Sequence, residues 1–247
     1  YACQSLRNKE CAMALCLGVN VILLPEGNIA LSQANMLSPE GRCYTFDERA
    51  NGYVRGEGCI SLVLKPYSEA QKDGDTVYAL IKGSAVNHGG KSSGLTVPNA
   101  KAQAQLIQQA LHNAHVEARD IDYIETHGTG TALGDPIEIN ALQEVFAGSH
   151  QAERPLLLGS VKTNFGHLES ASGLLGLLKV ILSMQHRMLP GTPFFTKLNP
   201  MIDLSSIPSA VVQQSQPWDV NGHAGVSSFG FSGINAHVVV AAALDIL

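Results

Sequence analysis

The stretch VYALIKGSAVNHG at 77–89, with NAKAQAQLIQQALHN at 99–113 and DYIETHG at 122–128 behind it, sets the fold class. The first is rich in apolar and β-branched residues and ends in a glycine turn, the second repeats apolar residues at helical spacing, and the third is a short apolar run. Strand, helix and strand in that order predict a βαβ-like unit.

The same alternation continues on both sides. Asp135 and Pro136 suit a helix N-terminus, LLLGSV at 156–161 reads as a strand, and ASGLLGLLKVILSMQHR at 171–187 as a helix. That helix is apolar on all sides, so it belongs in a central layer. After a proline-punctuated stretch to Trp218, GHAGVSSFGF at 222–231 and AHVVVAAAL at 236–244 read as strands joined by the turn SGIN. Toward the front, residues 2–14 read as a helix tail, LCLGVNVILLPEG at 15–27 as a core strand ended by Pro25 and Gly27, and GEGCISLVLKP at 56–66 as a second strand. Between them, 38–55 reads as a glycine-rich charged loop, and SEAQKDGD at 68–75 reads as a polar connection. Strands alternating with helices throughout favour a layered α/β architecture.

Composition fits a globular α/β protein. The chain has 247 residues, 45% hydrophobic and 15% charged, with 24 glycines. A net charge of -5 gives no basic footprint for nucleic acid. The longest apolar runs, 15–25 and 173–182, are too short or too interrupted to span a bilayer. Five cysteines (Cys3, Cys11, Cys16, Cys43, Cys59) fall in the first quarter without pairing or metal-ligand spacing. That pattern predicts a reducing, cytoplasmic location and no metal.

Chemistry concentrates in two histidine motifs, HGTGTALGDP at 127–136 and SVKTNFGHLE at 160–169. Each sets an imidazole among small, flexible residues. A neutral imidazole donates one hydrogen bond without carrying charge, and two such donors can hold a developing oxyanion.

Four stretches, FDERANGYVRGEG (46–58), HGTGTALGDPIEI (127–139), SVKTNFGHLESASG (160–173) and GVSSFGFSGINAH (225–237), occur in an order that closely resembles the β-ketoacyl synthase (ketosynthase) domain of modular polyketide synthases. The insert NHGGKSSGLTVPNAKAQAQ at 87–105 resembles the same assembly-line enzymes. The resemblance covers nearly the whole chain. It implies a thiolase-like fold, a five-layer αβαβα sandwich with mixed sheets, in which 1–75 ends the N-terminal half and 76–247 forms the C-terminal half.

The function implied is decarboxylative Claisen condensation of an acyl thioester with a malonyl-type unit on acyl carrier protein. No cofactor is bound directly, and the substrates ride on phosphopantetheine. By the resemblance, His127 and His167 donate hydrogen bonds to the enolate, and Lys162 adds positive charge, oriented through Glu169 or nearby groups. Thr129 and Thr131 bind the phosphopantetheine arm. Gly230 and Phe231 belong to the turn that contributes a backbone donor and gates access, with Asn235 supporting it. Ile234 stands where the family usually has threonine.

The resemblance also calls for a cysteine nucleophile. YACQSLRNKECAMALCLGVNVIL aligns with the helix and strand that follow that residue, so Cys3 is not it. The nucleophile is expected roughly two to three helical turns upstream of Tyr1. On this reading the chain is a partial domain, inactive alone, whose partners are the missing N-terminal segment, acyl carrier protein and, in the intact domain, a second copy. A non-elongating ketosynthase-like module is the alternative. A thiolase is disfavoured because no cysteine follows Cys59.

Overall fold

In a computed structural model, residues 1–92, 94 and 97–243 are described. Ser93, Leu95 and Thr96 of the insert at 87–105, and Leu244 of the expected last strand, lie outside them. The chain runs α1 (Ala2–Arg7), β1 (Ala14–Asn20), α2 (Glu26–Gln33), β2 (Gly58–Leu64), α3 (Tyr67–Asp73), β3 (Ala79–His88), α4 (Ala100–Ala114) and β4 (Ile121–Glu125). It continues through α5 (Gly134–Phe146), β5 (Leu156–Gly159), α6 (Lys162–Phe165), α7 (Ser172–His186), β6 (Met188–Leu189), β7 (Ser209–Val211), β8 (Gln216–Pro217), β9 (His223–Phe229) and β10 (Ile234–Ala242).

Two expectations are corrected. The segment expected as a polar connection is the helix α3, because Ala70 turns inward while the charged residues face out, and Gly74 ends the helix in the left-handed region. The strand expected to run on to Pro25 stops at Asn20, and the short helix α2 follows from Glu26.

A six-stranded sheet of order β3-β10-β9-β4-β5-β7 forms the centre, and β1 pairs with β2 in a separate antiparallel ribbon. Within the large sheet β4 runs parallel to both β5 and β9, while β10 is antiparallel to β3 and β9. The C-terminal ends of β4, β5 and β9 therefore lie side by side. Those ends lead directly into the two histidine motifs and the glycine-rich turn. The crevice beyond the carboxyl ends of parallel strands is where open α/β sheets bind ligands.

Helices cover both faces of this sheet. On one side α4 packs on β3 and β10, with α5 beside it, around Ile107, Leu142, Phe146, Ile124 and Leu158. On the other side α7 lays Leu177, Val180 and Met184 on Tyr123 and Val226. The far side of α7 meets β1 and β2 through Leu175 and Ile60. Sandwiched between two sheets, α7 is buried along most of its length and opens to solvent only toward its end, at Leu182, Gln185 and His186. Each buried Leu, Val or Met on it contributes roughly 1.5–3 kcal/mol. Leu15, Leu17 and Val19, alternating along β1, are exposed. No helix is long and apolar enough to cross a membrane among the described residues.

Candidate active site

His127 follows β4, and its loop is tied down from several directions. Glu138 on α5 accepts the backbone N–H groups of His127 and Gly128, each at 2.8 Å. Asp135 accepts the N–H of Gly130 at 3.1 Å and that of Phe46 at 2.8 Å. The Gly128 carbonyl accepts the hydroxyls of Thr45 and Ser160, at 2.7 and 2.9 Å. Glycine is required here. Gly128 has φ +38°, and a Cβ on it would sit 2.6 Å from Thr126 Oγ1 and 2.7 Å from a Thr45 methyl.

Along the chain Asp135 suits a helix N-terminus, and Glu138, three residues on, shares that first turn, where the helix dipole suffices for both. Both carboxylates are in fact buried and hold the histidine loop. Burial pushes Asp135 up to about 6 and Glu138 up to about 7, against the hydrogen bonds that favour their charge.

His167 follows the short helix α6 and pairs with the 54–56 segment, its N–H donating to the Val54 carbonyl at 2.6 Å and its carbonyl accepting the Gly56 N–H at 2.9 Å. The two imidazoles converge, with ring centroids 5.3 Å apart and planes at 82°. Backbone decides their tautomers. The Glu169 N–H donates to His167 Nδ1 at 2.9 Å, and the Phe229 N–H donates to His127 Nδ1 at 3.3 Å. A backbone N–H can only donate, so both Nδ1 atoms are unprotonated and both protons sit on Nε2. The Ser172 hydroxyl lies 2.7 Å from the same His167 Nδ1.

Glu169 reaches this position with φ 44°, in the left-handed region that disfavours a side chain. Its carboxylate goes to Arg55, at 2.5 and 3.1 Å, so of the two routes the resemblance left open for orienting Lys162, Glu169 or nearby groups, it is the nearby groups that remain. A residue 114 positions away along the chain thus holds Glu169 in place.

Burial, with a further push from the Lys162 charge, lowers the His167 imidazolium to about 3. The same two causes, with His167 itself, hold His127 well below the usual imidazole range. Both rings are thereby held toward the neutral form, which donates a hydrogen bond without carrying charge. Lys162 is 3% exposed and lies behind the histidines, since it is not among the residues that line the cleft. It acts on the rings through its charge.

The cleft has a volume of about 1210 Å3, and its walls include His127, His167, Thr129, Thr131, Gly230 and Phe231. Thr129 and Thr131 bring their hydroxyls to 3.1 Å of each other. Phe231 is 59% exposed at the rim. Its turn is closed by the Gly230 N–H donating to the Ile234 carbonyl at 2.6 Å, and Gly233 takes φ +91°. Asn235 is buried, lines the cleft, and donates to Asn87 Oδ1 at 3.2 Å, which joins the turn to β3. The structure therefore brings every expected site residue to one crevice except Lys162, which lies behind it. Among the described residues no cysteine lines the cleft, and no group of three His, Cys, Asp or Glu could hold a metal ion.

Comparison with known proteins matches this arrangement along the chain. The family described as Beta-ketoacyl synthase, N-terminal domain matches residues 1–70, and Beta-ketoacyl synthase, C-terminal domain matches residues 78–196. The chain belongs to the β-ketoacyl synthase family. One subunit of the phenolphthiocerol/phthiocerol polyketide synthase of Mycobacterium tuberculosis (strain ATCC 25618 / H37Rv) is 48% identical over 242 residues, 97% of this chain and 13% of that protein. Another subunit of the same synthase, from the same strain, is 50% identical over 250 residues, 99% of this chain and 11% of that protein. The ketosynthase from module 6 of the bacillaene synthase of Bacillus subtilis 168 superposes with TM-score 0.93 at 42% identity, over 98% of this chain and 44% of that one. The Streptomyces albus JA3453 oxazolomycin ketosynthase domain OzmH KS7 gives 0.94 at 41%, over 98% and 43%. The layers of this chain are accordingly those of the thiolase-like α/β fold. The chain spans under half of each ketosynthase structure and a small part of the synthase subunits it matches.

Proposed function

We propose that this protein performs the decarboxylating half of a polyketide ketosynthase reaction on thioesters carried by the phosphopantetheine of acyl carrier protein. One observation carries the reading: two imidazoles, both neutral and both protonated on Nε2, share one cleft with their centroids 5.3 Å apart. When a malonyl thioester loses carbon dioxide, the C–C bonding pair passes into an enolate. The negative charge collects on the thioester oxygen. Two preorganised neutral donors stabilise that charge as it develops, and no proton transfer is needed. The enolate carbon then attacks an acyl thioester carbonyl, forming the new C–C bond and expelling a thiolate.

The acyl-bearing thiol belongs to residues outside these 247, since the cysteines within them do not reach the cleft. Residues 1–75 and 76–247 fall to the two halves of the domain. The exposed apolar residues of β1 lie against the remaining strands of the N-terminal half, consistent with the 44% span of the bacillaene ketosynthase, and the intact domain pairs with a second copy.

The test is decarboxylation of malonyl carrier protein by the full-length protein. His127→Ala and His167→Ala each lower the rate by about 100- to 1000-fold, the cost of losing one oxyanion donor. Acylation from an acyl thioester persists in both. Normal decarboxylation in both variants would refute the reading.

A further inference from the structure

The apolar helix α7 carries one charge in its middle, Lys179, and the sequence offers no reason for it. Its Nζ reaches Glu125 Oε2 at 2.7 Å and the Tyr123 hydroxyl at 2.8 Å, and that hydroxyl donates to the same Oε2 at 2.7 Å. The side chains of Lys179 and Glu125 are only 8% and 2% exposed. Burying such a pair costs several kcal/mol per ion, and well-packed apolar residues serve stability as well or better. Two glycines make room for it. A Cβ at Gly159 would meet the Tyr123 hydroxyl at 2.6 Å, and one at Gly176 would meet Glu125 Cγ at 3.2 Å. Stability alone does not account for this arrangement.

Its position does. Glu125 closes β4 two residues before His127, and its other oxygen, Oε1, accepts the N–H of Val161 at 2.5 Å. Val161 is the residue from which α6 begins with Lys162. One carboxylate thus joins the strand end that carries His127 to the corner that carries Lys162. Besides Glu125 from β4, the titratable groups facing Lys162 are Asp135 and Glu138 from α5 and Cys43 from the loop after α2, with His127 and His167 in front. Burial pulls the ammonium below its usual value, and Glu125 is the largest of the charges that oppose this.

We propose that Glu125, braced by Lys179 and Tyr123, is a positioning residue: it fixes the corner from which Lys162 projects and sets the charge opposite its ammonium. The proposal rests on the decarboxylation reading above and goes beyond it by assigning the buried pair. The pair is an oriented dipole: Lys179 sits on Glu125 Oε2, while Oε1 holds the Val161 N–H next to Lys162, whose ammonium feels the Glu125 charge.

The sign of two charge changes tests it in the full-length protein, through the pH dependence of kcat for malonyl carrier protein decarboxylation. On this proposal the alkaline limb is assigned to loss of the Lys162 proton. Glu125→Gln removes the negative charge and leaves Lys179 unpaired, so the limb moves to lower pH by about one unit or more. Lys179→Met leaves Lys162 as the cation facing Glu125, so the limb moves to higher pH. KM stays within about twofold in both, because neither residue lines the cleft. A purely structural brace would lower the melting temperature in both variants and leave the limb in place. That result, or shifts in the same direction, would overturn the proposal.

Should the single variants fail to fold, the Glu125→Gln/Lys179→Met double variant removes the ion pair while keeping an acceptor for Val161. Its limb should still move to lower pH, and an unmoved limb overturns the proposal. The wild type and His127→Ala are run beside them. A wild type without decarboxylation, or an active His127→Ala, sinks the underlying reading and this proposal together; an unmoved limb beside an inactive His127→Ala sinks this proposal alone.

Discussion

Gly130→Ala separates the two reasons a glycine stands in the HGTGT loop. Gly130 has φ +77°, and a Cβ there would lie 2.7 Å from the Tyr44 nitrogen and 3.1 Å from the Cys43 carbonyl carbon. Both neighbours are backbone, and Gly130 itself bonds Asp135 and Gly52, so neither side moves freely. The left-handed backbone costs an alanine about 1–2 kcal/mol. The overlap adds about 1–3 kcal/mol, the usual cost of overpacking. Gly74 supplies the control: it has φ +71° with nothing within 4 Å of a Cβ, so Gly74→Ala incurs the backbone cost alone. Gly130→Ala should therefore lose about 2–5 kcal/mol of stability, and Gly74→Ala about 1–2 kcal/mol. Calorimetry on the full-length protein reads both. Because Thr129 and Thr131 flank the displaced residue, KM for the carrier-bound thioester should also rise in Gly130→Ala and not in Gly74→Ala. Equal losses of stability in the two variants would refute the claim that close backbone approach, and not conformation alone, demands glycine at this position.

Two further outcomes follow from buried carboxylates whose folded-state values move in opposite directions. Asp47 accepts hydrogen bonds from Arg49 Nε at 2.6 Å and from the Thr196 and Lys197 N–H groups at 2.7 and 3.2 Å. Burial works against its charge, but these bonds together outweigh it and hold the carboxyl well below its usual range. Its contribution is present above the unfolded carboxylate value and lost as pH falls through the folded one. Asp47→Asn should therefore cost about 2 kcal/mol at neutral pH and less in acid, read by urea melts across pH; an equal cost at all pH would contradict this. Glu138 behaves in the reverse sense. Raised from 4.5 to about 7 by burial, it binds a proton more tightly folded than unfolded, so its contribution is full below 4.5 and is lost as pH rises through about 7. Glu138→Gln should flatten that slope in the same melts, and an unchanged slope would assign it to another group.

What the sequence made legible was whatever depends on neighbours along the chain. The βαβ order, the apolar central helix and the two histidine motifs rest on local periodicity and spacing, and the structure has them. What stayed hidden depends on partners brought together only by folding. Glu169 is close to Lys162 along the chain, yet its carboxylate goes to Arg55, because residues 54–56 pair alongside His167. Asp135 and Glu138 have a sufficient local explanation in the helix dipole, and that sufficiency concealed the loop N–H groups they accept. The helix 171–187 reads as apolar on all sides, and Lys179 within it goes without a role because its partner Glu125 arrives from a strand 54 positions earlier. The tautomers are the sharpest case. That His127 and His167 both present Nε2–H follows from two backbone N–H groups, one from Glu169 beside its histidine and one from Phe229, 102 residues from His127. Residue identity names a histidine as a possible donor. The backbone around each ring, local at Glu169 for His167 and brought by the end of β9 for His127, decides which nitrogen donates, and with it whether the pair can hold an enolate.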